Sequence, residues 1–169
     1  MTLERELGKS VLDCQDVMKI IEDVGLMKTV INLGSCYEKL VKEFIVNIPE
    51  DCNDESSADF RKVYVRGKCV TFSPAVINRF LGRSDISQLE FEDTDDQVCQ
   101  EITCNAVKHW PSLKKLSAGK LSVKYAILHR IGTINWVPTN HTSTISVALG
   151  RFICVLGKKK KFDFGACIF

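Results

Sequence analysis

Along most of the chain, apolar residues recur every three to four positions in stretches that close at a glycine or a proline. Only short amphipathic helices packed side by side satisfy that pattern. The clearest stretch runs from Ser35 to Pro49. Ser35 is placed to cap it with Glu38 three residues on, Tyr37, Leu40, Val41, Phe44, Ile45 and Ile48 form its apolar row, and Pro49 ends it. An earlier stretch opens at Ser10, carries Leu12, Val17, Ile20, Ile21 and Val24, and closes at Gly25. Ser73-Pro74 supplies a cap and a first-turn proline for a helix that turns Val76, Ile77, Phe80 and Leu81 inward and stops at Gly82. Further helices are expected from about Asp96 to Trp110, from Ser122 to Ile134 and from Thr142 or Ser143 to Gly157. The last of these places Ile145, Ala148, Leu149, Phe152, Ile153 and Leu156 in the core.

Two segments break the helical period. Glu50 to Asp59 is acidic and rich in Asn, Asp and Ser, and reads as a surface loop. Lys62-Val-Tyr-Val-Arg66 and Lys68-Cys-Val-Thr-Phe72 are β-branched and aromatic runs flanking Gly67, which predicts a hairpin, the only sheet expected. The fold class is therefore mainly α, with about six helices around one core and a single small β-hairpin near 62–72. Residues 1–169 are read as one domain. The terminal run Phe162-Asp-Phe-Gly-Ala-Cys-Ile-Phe169 is almost wholly apolar, so the chain is expected to be cut within a helix that begins at Asp163.

With 45% hydrophobic and 26% charged residues, the composition excludes disordered, collagen-like and disulfide-scaffold classes. No apolar run reaches the roughly 18 to 20 residues that cross a bilayer, and the charged start MTLERELGKS does not resemble a signal peptide. An intracellular protein, nuclear or cytoplasmic, is expected, with its eight scattered cysteines reduced.

The net charge of +2 conceals a strong polarity. Residues 1–60 hold 6 Lys and Arg against 13 Asp and Glu, and residues 102–169 hold 11 against one. Residues 61–86 are basic and residues 87–101 acidic. This asymmetry either steers an anionic partner or lets acidic and basic parts of one fold attract each other.

Motifs with chemical content are weak. Cys99, Cys104 and His109 have a zinc-like spacing, but a knuckle would need cysteines at positions 101 and 114, where Glu101 and Lys114 stand. Residues five apart on a helix also point roughly 140° apart. Six residues intervene between Gly150 and Gly157-Lys158, too many for a phosphate loop, and its following Ser or Thr is missing. Glu90, Glu92, Asp93, Asp95 and Asp96 have no calcium-loop register and single out no catalytic triad. His109, His129 and His141 lie in no nucleophile motif, and His141 is read as a cap for the next helix. No metal, cofactor or catalytic residue is expected, and a non-catalytic role comes first. The expected partner is a nucleic acid or another protein, not a membrane. Sequence-independent nucleic-acid binding is the second reading, through Lys114, Lys115, Lys120, Arg151, Lys158, Lys159, Lys160 and Lys161. A degenerate metal-dependent nuclease or integrase is the third.

Lys42-Glu-Phe-Ile-Val-Asn47, Val63-Tyr-Val-Arg-Gly-Lys68, Phe72-Ser-Pro74, Ile77-Asn-Arg-Phe-Leu-Gly82 and Trp136-Val-Pro-Thr-Asn-His-Thr142 resemble a plant transposon protein domain family. The resemblance covers about 35–169. It implies a plant-specific origin in a mobile element of retrotransposon- or envelope-like type, with no particular activity, cofactor or catalytic residue. It also implies a chain that continues past Phe169. The matching positions Arg66, Pro74, Asn78, Arg79, Trp136, Pro138 and His141 carry no role by resemblance.

Overall fold

The helical periodicity is realised as short helices, most of them two to three turns long. A computed structural model describes residues 14–83, 93–160 and 162–168. The chain divides into two compact units, Met1–Leu33 with Asp85–Phe162, and Gly34–Ser84 with Asp163–Phe169. The hydropathy pattern does not mark this division.

In the first unit, α1 (Gln15–Asp23) buries Val17, Ile20 and Ile21, and Gly25 takes the expected left-handed turn at φ 71°. The part of the predicted first helix before residue 14 lies outside the described residues. A 3₁₀ turn follows, and Leu26 and Val30 on either side of it are fully buried. The next helix of this unit is held at its start by Thr94, whose hydroxyl accepts from the Gln97 amide while the Gln97 side chain reciprocates. It ends eight residues later, at Ile102, and not at Trp110 as the pattern predicts. Cys104 and Asn105 adopt left-handed φ of 50° and 63°, and the Thr103 hydroxyl bonds the Val107 amide, so the local chain curls away from the helix.

The stretch SLKKLSAGK, read from sequence as a connector, contains a strand, Lys115–Ser117. It pairs antiparallel with Thr144–Ser146, so the hairpin is not the only sheet. Leu116 and Ile145 face each other across this pair and are 2% and 0% exposed. A single apolar position in each otherwise polar triplet, Leu116 and Ile145, carries too little periodicity to announce a strand. The strand also displaces the start of the following helix, which begins at Val147 with Ser146 as its cap, and not at Thr142 or Ser143. His141 therefore caps nothing. The helix Val123–Ile131 runs on through a π turn, Gly132–Trp136, where a loop is expected after Ile134. This turn buries Thr133, Asn135 and Trp136. Asn135 Nδ2 donates to the Thr29 carbonyl at 2.9 Å and Trp136 Nε1 donates to Thr29 Oγ1 at 2.8 Å.

The second unit begins with α2 (Glu38–Val46), followed by β1 (Lys62–Val65), β2 (Lys68–Thr71) and α3 (Pro74–Leu81). In chain order the first unit's elements above are then α4 (Asp95–Ile102), β3 (Lys115–Ser117), α5 (Val123–Ile131), β4 (Thr144–Ser146) and α6 (Val147–Gly157), and the second unit closes with α7 (Phe164–Ile168). There are thus seven α-helices among the described residues. The hairpin is as predicted, with Val63 opposite Val70 and Arg66-Gly67 in the left-handed turn that favours the twist of paired strands.

Two expectations fail in this unit. Tyr37, and not Ser35, precedes α2, without a side-chain capping bond, and no residue of α2 is buried. Val46 is 80% exposed and Ile45 48%. In α3, Phe80 is 70% exposed, and the buried positions are Leu81 and the polar Asn78. Helix α7 decides this. Asn78 Nδ2 donates to Asp163 Oδ1 at 2.6 Å, and Asn78 Oδ1 accepts from the Gly165 amide at 3.0 Å. Asp163 in turn accepts from the Ala166 amide at the start of α7. At Gly165 a Cβ would overlap the Pro74 carbonyl, so the two backbones meet where only glycine fits.

Replacing Asn78 by alanine strands the buried Gly165 amide and removes a charge-assisted bond, and we expect it to cost about 2 kcal/mol. The check is a urea titration followed by a probe in the second unit. An unchanged midpoint would show that α7 does not depend on this clamp.

Candidate functional site

The residues named by charge are brought together with acids as much as with one another. Arg151 on α6 meets Asp95 at 2.7 Å, Lys158 just past α6 meets Asp93 at 2.8 Å, and Lys159 meets Asp23 at 2.6 Å. Lys160 has an interaction of its own, and Lys161 lies outside the described residues. Asp93 and Asp95 at the start of α4 therefore face the basic residues of α6 and its end within the first unit, and Glu90 and Glu92 lie outside the described residues. The hydrogen bond from Lys158 holds the Asp93 carboxyl below its usual range, and the same bond raises the Lys158 ammonium.

Lys114, Lys115 and Lys120 are placed differently. They bracket β3 and the 3₁₀ turn after it, and all three are exposed with no ion-pair partner among the described residues. Strand alternation explains this, since burying Leu116 turns Lys115 and Ser117 outward. Leu113 and Val123, 86% and 77% exposed, lie in the same stretch of sequence. No aromatic residue interleaves these lysines as a base-stacking platform needs.

The three histidines have separate fates. His109 Nδ1 lies 2.8 Å from Asp96 Oδ2, and the other Asp96 oxygen accepts the Trp110 amide at 2.7 Å. Those bonds, the His109 one foremost, hold the Asp96 carboxyl low. Trp110 is placed by this clamp against Gly150, where a Cβ would run into its ring. His141 is exposed, and its amide bonds the Thr139 hydroxyl. His129 is 4% exposed, and its Nε2 has no hydrogen-bond partner. Burial lowers its pKa, against a smaller opposing effect of the Thr144 main chain.

Among the described residues no group of three or more His, Cys, Asp and Glu is gathered to hold a metal ion. Cys99 is buried and Cys104 exposed, and His109 is engaged with Asp96, so the zinc-like spacing does not converge. Buried Cys154 has its thiol pushed up to about 11 by desolvation. Tyr125, buried against Gly157, donates to Glu101 at 2.8 Å. Among the described residues no helix is long and apolar enough to cross a membrane.

The positions singled out by resemblance divide in the same way. Arg66 ties the hairpin turn to α2, its amide and Nε meeting the two Glu43 carboxylate oxygens at 2.7 and 3.1 Å. Pro74 opens α3, Asn78 clamps α7, and Trp136 anchors the π turn. Arg79, Pro138 and His141 are exposed. Sequence reading missed the Asp96 clamp and the Asn78 clamp.

Two measurements follow from this geometry. Because the folded chain keeps His129 neutral while the unfolded chain protonates it near pH 6.5, unfolded molecules bind the extra proton as pH falls. Stability should therefore drop as pH falls below about 6.5 and level off once the folded-state value is passed. Urea midpoints between pH 7.5 and 5 should show the decline, and His129→Gln should flatten it. A decline of equal slope in the variant would assign it elsewhere. For nucleic acid, Lys114, Lys115 and Lys120 are exposed with no ion-pair partner among the described residues, whereas Arg151, Lys158 and Lys159 would each have to leave an acid. The slope of log K against log salt should then be clearly shallower than the roughly −7 that all eight cations would give.

The family described as "Putative plant retrotransposon-related domain" matches residues 22–169. No curated protein sequence and no solved structure matches the chain.

Proposed function

The chain belongs to the plant retrotransposon-related domain family, and from that premise we propose that it is a non-catalytic binding or structural module of a mobile-element protein, one that works by contact with another protein inside the cell. The apolar row at α2 carries this reading. Tyr37 and Ile45, two members of that row, are 79% and 48% exposed, and Val46, next to Ile45 in sequence, is 80% exposed. The carboxylates that a metal-dependent reaction would recruit support it too. Asp93, Asp95 and Asp96 are each engaged by Lys158, Arg151 or His109. Three buried cysteines without disulfides, Cys52, Cys99 and Cys154, suit a reducing compartment.

Nucleic-acid binding is the second reading, favoured by the exposed Lys114, Lys115 and Lys120. It requires weaker and less salt-dependent contacts than the charge of the C-terminal part suggests.

Replacing Ile45 and Val46 together by glutamate tests the first reading. The exposed positions predict a stability change within about 0.5 kcal/mol, with a marked loss of fluorescence from a bound anilinonaphthalene dye. A large loss of stability would mean that this row belongs to the core. Incubation with magnesium or manganese and plasmid DNA or RNA should leave the nucleic acid intact. Cleavage that disappears in His109→Ala or Asp96→Asn would overturn the non-catalytic reading.

A further inference from the structure

The two edges of the hairpin in the second unit are treated differently. The Phe72 amide bonds the Arg61 carbonyl at 2.8 Å, and with the register Lys62↔Thr71 to Val65↔Lys68 this fixes which residues exchange ladder bonds. Arg61 with Phe72, Val63 with Val70 and Val65 with Lys68 are the bonded pairs, so the main-chain groups of Lys62, Tyr64, Cys69 and Thr71 point away from the partner strand. On β1 two of the four outward groups are occupied. The Tyr64 carbonyl accepts from Asn47 Nδ2 at 2.7 Å, and the Lys62 amide donates to the Asp59 carbonyl at 3.0 Å. Arg66 is tied to Glu43 beyond the strand's end. On β2 the amides and carbonyls of Cys69 and Thr71 bond no described residue, and all four residues of the strand are exposed.

An open strand edge is a template for another strand unless it is covered or blocked, and the four-residue β2 offers two outward amides and two outward carbonyls, at Cys69 and Thr71. The chemistry of this edge selects its occupant. Residues 61–72 contain Arg61, Lys62, Arg66 and Lys68 and no acidic residue. Lys68 has no ion-pair partner among the described residues, and Val70, on the face whose other member Val63 is fully buried, is itself 41% exposed. A strand laid beside β2 would set one side chain against Val70 and the next on that face against Lys68. A second copy of the hairpin would bring Arg61, Lys62 and Lys68 against their counterparts, Arg66 being paired with Glu43, which disfavours self-pairing.

We infer that the free edge of β2 is a docking site for an extended peptide strand in which apolar and acidic residues share one face, bound by β-augmentation. This inference rests on the contact-module reading and specifies where one partner binds. Main-chain bonds from Cys69 and Thr71 supply the register, and Val70 and Lys68 supply selectivity.

The test is a fluorescence-anisotropy titration of the whole chain with labelled Thr-Val-Thr-Val-Thr-Glu-Thr-Glu and with a twin carrying Lys for Glu. The acidic peptide should bind about tenfold more tightly or better, and Lys68→Glu should reverse the order. Thr71→Pro removes an outward amide that the hairpin does not use, so it should weaken binding about tenfold with the circular dichroism unchanged. If that variant misfolds, the Lys68→Glu reversal still decides. Equal binding of the two peptides, no binding of either, unchanged affinity in a folded Thr71→Pro chain, or self-association through this edge in sedimentation would each overturn the inference. None of these outcomes bears on catalysis, which the nuclease assay above tests separately.

Discussion

The first unit depends on α6 being buried around nearly its whole circumference. Leu149, Gly150, Phe152, Ile153, Cys154, Val155 and Leu156 are all buried, a run interrupted only by the part-exposed Arg151. Each fully buried aliphatic side chain of this kind contributes about 1.5–3 kcal/mol. No other described helix buries as many residues. Surrounding a helix on all sides requires close approach. Gly150 and Gly157 allow it, admitting the rings of Trp110 and Tyr125 to positions that a Cβ would occupy. Phe152 extends the contact edge-on to both Trp136 and Phe162 at 5.6 Å.

A central helix of this kind also determines where charge can go. Its polar residues are confined to its edge and its C-terminal end. There Arg151, Lys158 and Lys159 meet Asp95, Asp93 and Asp23. These pairs are partly exposed and individually worth little. Their effect is on availability: the basic run that suggests a phosphate-binding surface is partly committed to the protein's own carboxylates. The same pairs engage Asp95 and Asp93 with cations of the protein itself. Charge polarity along the sequence has thus produced internal complementarity, with a residual basic surface at Lys114, Lys115 and Lys120.

The second unit shows the opposite economy, with few buried residues and many exposed apolar ones. Its order comes from specific bonds. Asn78 holds the start of α7, Glu43 holds the hairpin turn, and Asn47 holds the outer edge of β1. The Phe44 and Phe72 rings meet edge-on at 5.2 Å. A unit arranged in this way leaves Tyr37, Ile45 and Val46 on its surface. A contact module needs such a surface, and a buried core helix would not provide one.

Local signals were legible in the sequence because they act within a few residues. The Ser73-Pro74 start and Gly82 stop of α3, the left-handed Gly25, and the hairpin around Gly67 all follow from backbone sterics and short-range hydrogen bonds. The family resemblance was legible for the same reason, since it rests on contiguous motifs. Which apolar rows are buried was not legible, because periodicity says that a face is apolar and not that another element lies on it. The row at α2 met no partner that buries it, whereas Asn78, polar and unremarkable in sequence, became buried because α7 returns to it from 85 residues away. The β3–β4 pair, the Asp96 clamp and the ion pairs around α6 likewise join distant segments. Tertiary structure alone decided these contacts, because their strength depends on distances that no local pattern encodes.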